Sequence, residues 1–120
     1  MPNYRIQKSP FKVPTADGKT ILEHWGNTTG NPDVSIAYMV APPGWGEPHQ
    51  TPDFDEFTII LKGKKLFEID GESIELQAGQ SILVKQGARV QYSNPFDEPC
   101  EYVAICLPAF SPSLVHREEE

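Results

Sequence analysis

The stretch 44–63, GWGEPHQTPDFDEFTIILKG, decides how this chain of 120 residues is read. Its first half is a loop stiffened by Pro48 and Pro52. Its second half is the apolar run Phe57-Thr58-Ile59-Ile60-Leu61, a strand signal closed by Gly63. His49, Thr51 and Glu56 stand at the loop and the strand entrance, where side chains of a barrel strand can point into a shared cavity. Strand alternation puts Glu56, Thr58 and Ile60 on one face.

Working outward, short apolar segments recur at near-regular spacing, each closed by Gly, Pro or Asp. The spacing predicts strands over 20–25, 34–40, 56–61, 65–69, 73–76, 81–84, 89–94 and 101–107, with one short edge strand within 4–11. Asp70-Gly71 is a hairpin signal between two of them. Along 34–40, Val34, Ile36, Tyr38 and Val40 share one face and Ser35, Ala37 and Met39 the other. No segment before residue 110 has a helical period. Ser111 as N-cap and Pro112 at the first helical position predict a short helical turn in the tail. The reading is one all-β domain over 1–120: an N-terminal arm with edge strands (1–32), a barrel (33–108) and a tail (109–120). Residues 57–61 and 102–107 are apolar on both faces, although a strand facing water should alternate. The N-terminal segment or a second subunit must then cover the outer face, and a homodimer is expected.

The formal net charge of −7 argues against a phosphate-neutralising surface, so nucleic acid is not an expected partner. No stretch approaches the roughly 20 apolar residues that span a bilayer. The N-terminus has no apolar core of signal-peptide length. A cytoplasmic location is the expectation. Cys100 and Cys106 lie too far apart along one straight strand to bridge, so two free, packed thiols are expected.

The 44–63 stretch resembles the first motif of the cupin superfamily: His49 falls on its first histidine, Glu56 on its glutamate and Gly63 on its closing glycine. Thr51 stands where the motif has its second histidine. Residues 79–94 resemble the second motif through Gly79, Gly87 and Asn94, with Lys85 replacing its proline and Val90 its histidine. The resemblance covers about 34–107 and extends to small cupins of ethanolamine utilisation. It implies an all-β, cupin-type double-stranded β-helix, or jelly-roll barrel, ending in a short C-terminal helical turn.

That barrel would gather His49, Thr51 and Glu56 opposite Val90 and Tyr92, with Tyr38 and Trp45 as walls. Aromatic walls with a few polar groups suit a small-molecule ligand. Cupin metal sites use three histidines and a glutamate, of which only His49 and Glu56 remain here. No cofactor is therefore expected; a divalent transition metal, if bound, would use His49, Glu56 and Gln50. His49 and Glu56, with Tyr92 or Tyr38 as the opposing proton donor, would instead catalyse metal-free isomerase, epimerase or lyase chemistry on a small polar molecule, with Tyr92 the first choice. The alternatives are a metal-dependent dioxygenase or isomerase with an atypical ligand set, and a ligand-binding module without turnover. Lys62, Lys64 and Lys65 read as a solvated basic turn, and His24 and His116 have no spacing that points to a site.

Overall fold

Every second side chain of the strand Cys100–Leu107 is buried, and the fold is built around that alternation. A computed structural model describes residues 3–118. It contains ten strands: β1 (Phe11–Lys12), β2 (Thr20–Trp25), β3 (Ser35–Ala41), β4 (Trp45–Gly46), β5 (Asp55–Lys62), β6 (Lys64–Ile69), β7 (Glu72–Gln77), β8 (Ser81–Val84), β9 (Val90–Asn94) and β10 (Cys100–Leu107). One short helix, α1, spans Pro112–Val115. The strands form a six-stranded sheet in the order β1-β2-β3-β10-β5-β8 and a four-stranded sheet in the order β4-β9-β6-β7. All pairings are antiparallel. The two sheets enclose one main core, as expected of a double-stranded β-helix.

Local chemistry explains the connections. The β6–β7 turn uses Asp70 (φ 48°) and Gly71 (φ 86°), the left-handed pair that a tight hairpin requires. Pro112 opens α1 after Ser111, whose hydroxyl bonds the Ser113 hydroxyl at 3.0 Å rather than capping the helix backbone. Both cysteines are free and buried. No helix among the described residues is long and apolar enough to cross a membrane.

Three expectations change. The N-terminal edge strand shrinks to Phe11–Lys12, and Tyr4 and Ile6 stay about 70% exposed. The arm does not cover the outer face of the large sheet, where Phe57, Ile59, Leu61 and Leu83 remain exposed. Lys65 is not part of a solvated turn: it is 1% exposed. On β6, Lys65 and Phe67 share the buried face while Lys64 is exposed, so strand alternation carries Lys65 inward.

Gly63, between β5 and β6, combines φ 78° with a close approach, because a Cβ there would lie 2.4 Å from the Pro99 carbonyl oxygen. Gly44 has the same φ of 78° but open space around its missing Cβ. Gly44→Ala is expected to cost about 1–2 kcal/mol through backbone strain. Gly63→Ala should cost about 1–3 kcal/mol more, from overpacking. Urea denaturation of the two variants side by side checks this, and equal losses would show that the Pro99 contact is not limiting.

Candidate functional site

The space between the sheets is a cavity of about 80 Å³. β3 contributes Ser35, Ala37 and Met39 to its wall, and β10 contributes Tyr102, Ala104 and Cys106. Glu56 enters from β5, Lys65 from β6 and Tyr92 from β9. Each follows from strand register. Glu56 is paired with Cys106, which brings the Cys106 thiol to 3.5 Å from the carboxylate. Phe67 is paired with Tyr92, and their rings meet edge to face at 5.6 Å.

Lys65 is the unusual member. Its Nζ lies 3.5 Å from the ring centroid of Tyr102, 4.6 Å from that of Tyr92 and 5.2 Å from that of Phe67. Among the described residues it forms no ion pair within bonding distance. A desolvated cation–π contact contributes about 2 kcal/mol. Burying an ammonium costs several kcal/mol even after relaxation, so burial outweighs the rings. The Lys65 amine is accordingly pushed down to about 7, mainly by burial and further by the nearby Lys19 charge, against the opposing pull of Glu56. Burial also raises the Glu56 carboxyl above its usual range, although Lys65 and Lys19 counteract it. The phenols of Tyr92 and Tyr102 are pushed well up by burial and by the Glu56 charge, so both stay protonated. Burial raises the Cys106 thiol as well, and it is no thiolate at neutral pH. The Tyr102 hydroxyl is buried with no hydrogen-bond partner.

The other ionic groups on the wall are engaged. Glu23 accepts hydrogen bonds from the Thr28 backbone amide at 3.2 Å and from the Thr28 hydroxyl. Arg117 reaches Gln50 Oε1 at 3.4 Å and Glu47 Oε2 at 3.5 Å. Lys19 stacks on Trp45 at 4.5 Å. This leaves Glu56, Lys65, Tyr92 and Tyr102 as the groups free to meet a ligand.

Of the residues singled out in the sequence, Glu56, Tyr92 and Gln50 line the cavity. His49 does not: it is half-buried beside the C-terminal segment, where its carbonyl accepts the Glu118 amide at 2.8 Å. Its neighbour Gln50 pairs with both Val90 and Arg117 and takes the inward direction. Thr51 is also off the lining, with its amide bonded to the His116 carbonyl. Val90 is fully buried in the apolar core rather than in the cavity wall. Tyr38 points to the opposite face of β3 from Ala37 and bonds Glu101. Trp45 belongs to the core, its indole N–H donating to Asp17 at 2.8 Å, and it stands behind Lys19 rather than in the wall.

Lys65 and Tyr102 were missed. For Lys65 the available signal was its two-residue spacing from Phe67. For Tyr102 it was the corresponding alternation with Cys100 and Ala104 on β10.

The residues do not fit a cupin metal centre. Among the described residues no three His, Cys, Asp or Glu side chains are grouped to hold an ion. His49 and Thr51 lie off the cavity, and Lys65 and the Cys106 thiol, rather than further acidic or imidazole ligands, neighbour the Glu56 carboxylate.

Residues 37–106 match the family described as the cupin domain. The chain is 44% identical over 115 residues to a Myxococcus xanthus protein named endoribonuclease YbeY, covering 95% of this chain and 39% of that protein. It is 32% identical over 73 residues to the polyketide synthase CurC of Streptomyces cyaneus, covering 60% of this chain and 47% of that one. The chain thus matches less than half the length of either curated relative. The polyketide cyclase RemF of Streptomyces resistomycificus superposes with a TM-score of 0.76 at 13% identity, over 100% of this chain and 87% of that one. The structure of a Salmonella typhimurium protein named for ethanolamine utilization superposes with a TM-score of 0.61 at 16% identity, over 77% of this chain and 71% of that one.

Lys65 makes stability depend on pH in a defined direction. Its folded pKa of about 7 lies below the ordinary 10.5, so between these values the unfolded chain holds the extra proton. Stability relative to a Lys65→Met variant should therefore rise with pH across that window, by up to about 1.4 kcal/mol per unit. The variant's advantage should be largest below pH about 7 and shrink toward pH about 10. Urea denaturation across the window measures it, and a pH-independent difference would refute the burial of an ionisable amine.

Proposed function

The chain belongs to the cupin family, and from that premise we propose that its cavity binds a small carbonyl compound and moves a proton on the carbon beside the carbonyl. The observation that carries this is the buried Tyr102 hydroxyl without a partner, on a residue that lines the same cavity as Glu56 and whose ring lies under the Lys65 amine. An unsatisfied buried hydroxyl costs about 1–3 kcal/mol, which an oxygen acceptor on a ligand offsets. The ligand's carbonyl oxygen takes the Tyr102 O–H. The Glu56 carboxylate, its basicity raised by burial, removes the α-proton. Lys65 and the protonated Tyr92 stabilise the charge that develops on oxygen. This places the reading among metal-free isomerases and cyclases, with Glu56 and Tyr92 retained and His49 left out. The polyketide names of one curated relative and one structural neighbour support carbonyl chemistry. The endoribonuclease name does not transfer, because this chain spans 39% of that protein and carries a charge of −7.

The test is α-proton exchange into deuterated water, followed by NMR, with hydroxyacetone and acetylacetone as probes. Glu56→Gln should slow exchange about 10²–10⁴-fold. His49→Ala should leave it unchanged. Full exchange in Glu56→Gln would sink the assignment.

A second copy of the chain is proposed as the cover of the large sheet. Cross-strand register sets Phe57 beside Leu83 and Ile105, and Ile59 beside Val103, in one continuous apolar face. The same chain carries an arm whose Tyr4 and Ile6 are exposed, so each copy offers both an apolar arm and an apolar face. Sedimentation equilibrium should give a dimer at micromolar concentration, and Phe57→Glu with Ile59→Glu should give a folded monomer. A monomeric parent protein would overturn this. The two reduced thiols support assignment to a reducing compartment such as the cytoplasm.

A further inference from the structure

We propose that Lys65 is a covalent site: its amine condenses with the carbonyl carbon of a small aldehyde or ketone to form a protonated imine. This rests on the cavity's being a carbonyl site, and it adds the form in which the ligand is held. Three features of the geometry carry it. Lys65 lines the cavity of about 80 Å³ between the sheets. It is ringed by the aromatic side chains of Phe67, Tyr92 and Tyr102, and no carboxylate holds it in an ion pair. Glu56 lines the same cavity and supplies an acid.

The step balances with groups already present. The neutral amine adds to the carbonyl carbon, and a proton passes from nitrogen to the oxygen, giving a carbinolamine. The protonated Glu56 carboxyl then donates its proton to the hydroxyl as the C–O bond breaks. Water leaves, and the products are a cationic imine on Lys65 and the Glu56 carboxylate. Hydrolysis runs the same path backwards. The ring faces that surround the ammonium suit the imine cation equally well. The resulting cation withdraws electrons from the neighbouring carbon, which is the carbon whose proton Glu56 removes. A lysine amine that titrates at about 7 is also substantially neutral at working pH, as the addition requires.

Lysines elsewhere lack this setting. Lys62, Lys64 and Lys85 are exposed, and Lys19 is stacked on Trp45 and partly open. They serve as internal controls.

The experiment treats the full chain with hydroxyacetone or acetaldehyde and sodium cyanoborohydride, followed by intact mass and peptide mapping. The expected result is one adduct per chain, on Lys65, formed at least about tenfold faster than on any exposed lysine. Lys65→Arg should lose that adduct and slow α-proton exchange. Label spread over exposed lysines with Lys65 unmodified would overturn the proposal, and peptide mapping of the parent protein decides this even if the variant does not fold. Undiminished exchange in a folded Lys65→Arg would also overturn the imine while leaving the carbonyl reading intact. A Lys65 adduct with undiminished exchange in Glu56→Gln would do the reverse, supporting the imine and removing Glu56 as the base.

Discussion

The two sheets are held in register by the side-chain amide of one fully buried residue, Asn94, at the end of β9. Its nitrogen donates to the carbonyl oxygens of Ala41 at 3.1 Å, Pro42 at 3.3 Å and Glu98 at 2.8 Å, and its oxygen accepts the Phe96 amide at 3.2 Å. Ala41 ends a strand of the large sheet, whereas Asn94 ends a strand of the small one. One side chain thus ties both layers and the 94–99 loop together. No hydrophobic residue could do this, because it would leave the buried carbonyls unpaired. The position of β9 against β10, and with it the distance across the cavity, follows from that knot.

With the sheets so placed, β6 has no freedom over where Lys65 points. Its register with β7 and β9 fixes Phe67 in the core, and Lys65 two residues earlier must enter the same space. The barrel accepts the loss of hydration at Lys65 without a bonded counter-ion. Such an uncompensated buried group destabilises a fold, and sites of this kind concentrate where a protein handles ligands. The cavity's other charges, Glu23, Glu47 and Arg117, are paired off, so the free chemistry narrows to one amine, one carboxyl and two phenols.

Much of this architecture was legible in the residues. The Asp70-Gly71 turn, the alternation of β10 and the glycine spacing around β5 mark an all-β barrel, because each is a local signal read within a few positions. Gly63 was recognisable as the end of a strand, though not as a point of contact with Pro99, which is 36 residues away. The site was less legible. Motif position brought His49 forward, but it is the loop pairing of Gln50 with Val90 and Arg117 that decides which side chain turns inward. Tyr38 illustrates the same difficulty: either face of β3 reads as plausibly apolar, and only packing of Ala37 and Ser35 against β10 reveals which one lines the cavity. Lys65 was hidden by its company, since its exposed neighbours Lys62 and Lys64 make a charged cluster look uniformly solvated.

The C-terminal segment has a consequence for the cavity wall. It lies along 49–53 through one bridge between Gln50 and Arg117, with backbone bonds from Thr51 to His116, from Asp53 to Leu114 and from Glu118 to His49, and it sets Arg117 in that wall. Its outer anchors are the exposed pairs His116–Asp53 and Arg89–Glu118. Exposed pairs of this sort contribute about 1 kcal/mol or less and weaken with salt. Beneath those pairs, Val115 is buried with Phe54 and Cys106 and packed by Phe110 and Leu114, so the segment is held by apolar contact as well as by charge. Salt would thus loosen the rim of this segment and leave its apolar base in place, so Arg117 keeps its position in the wall over a range of ionic strength.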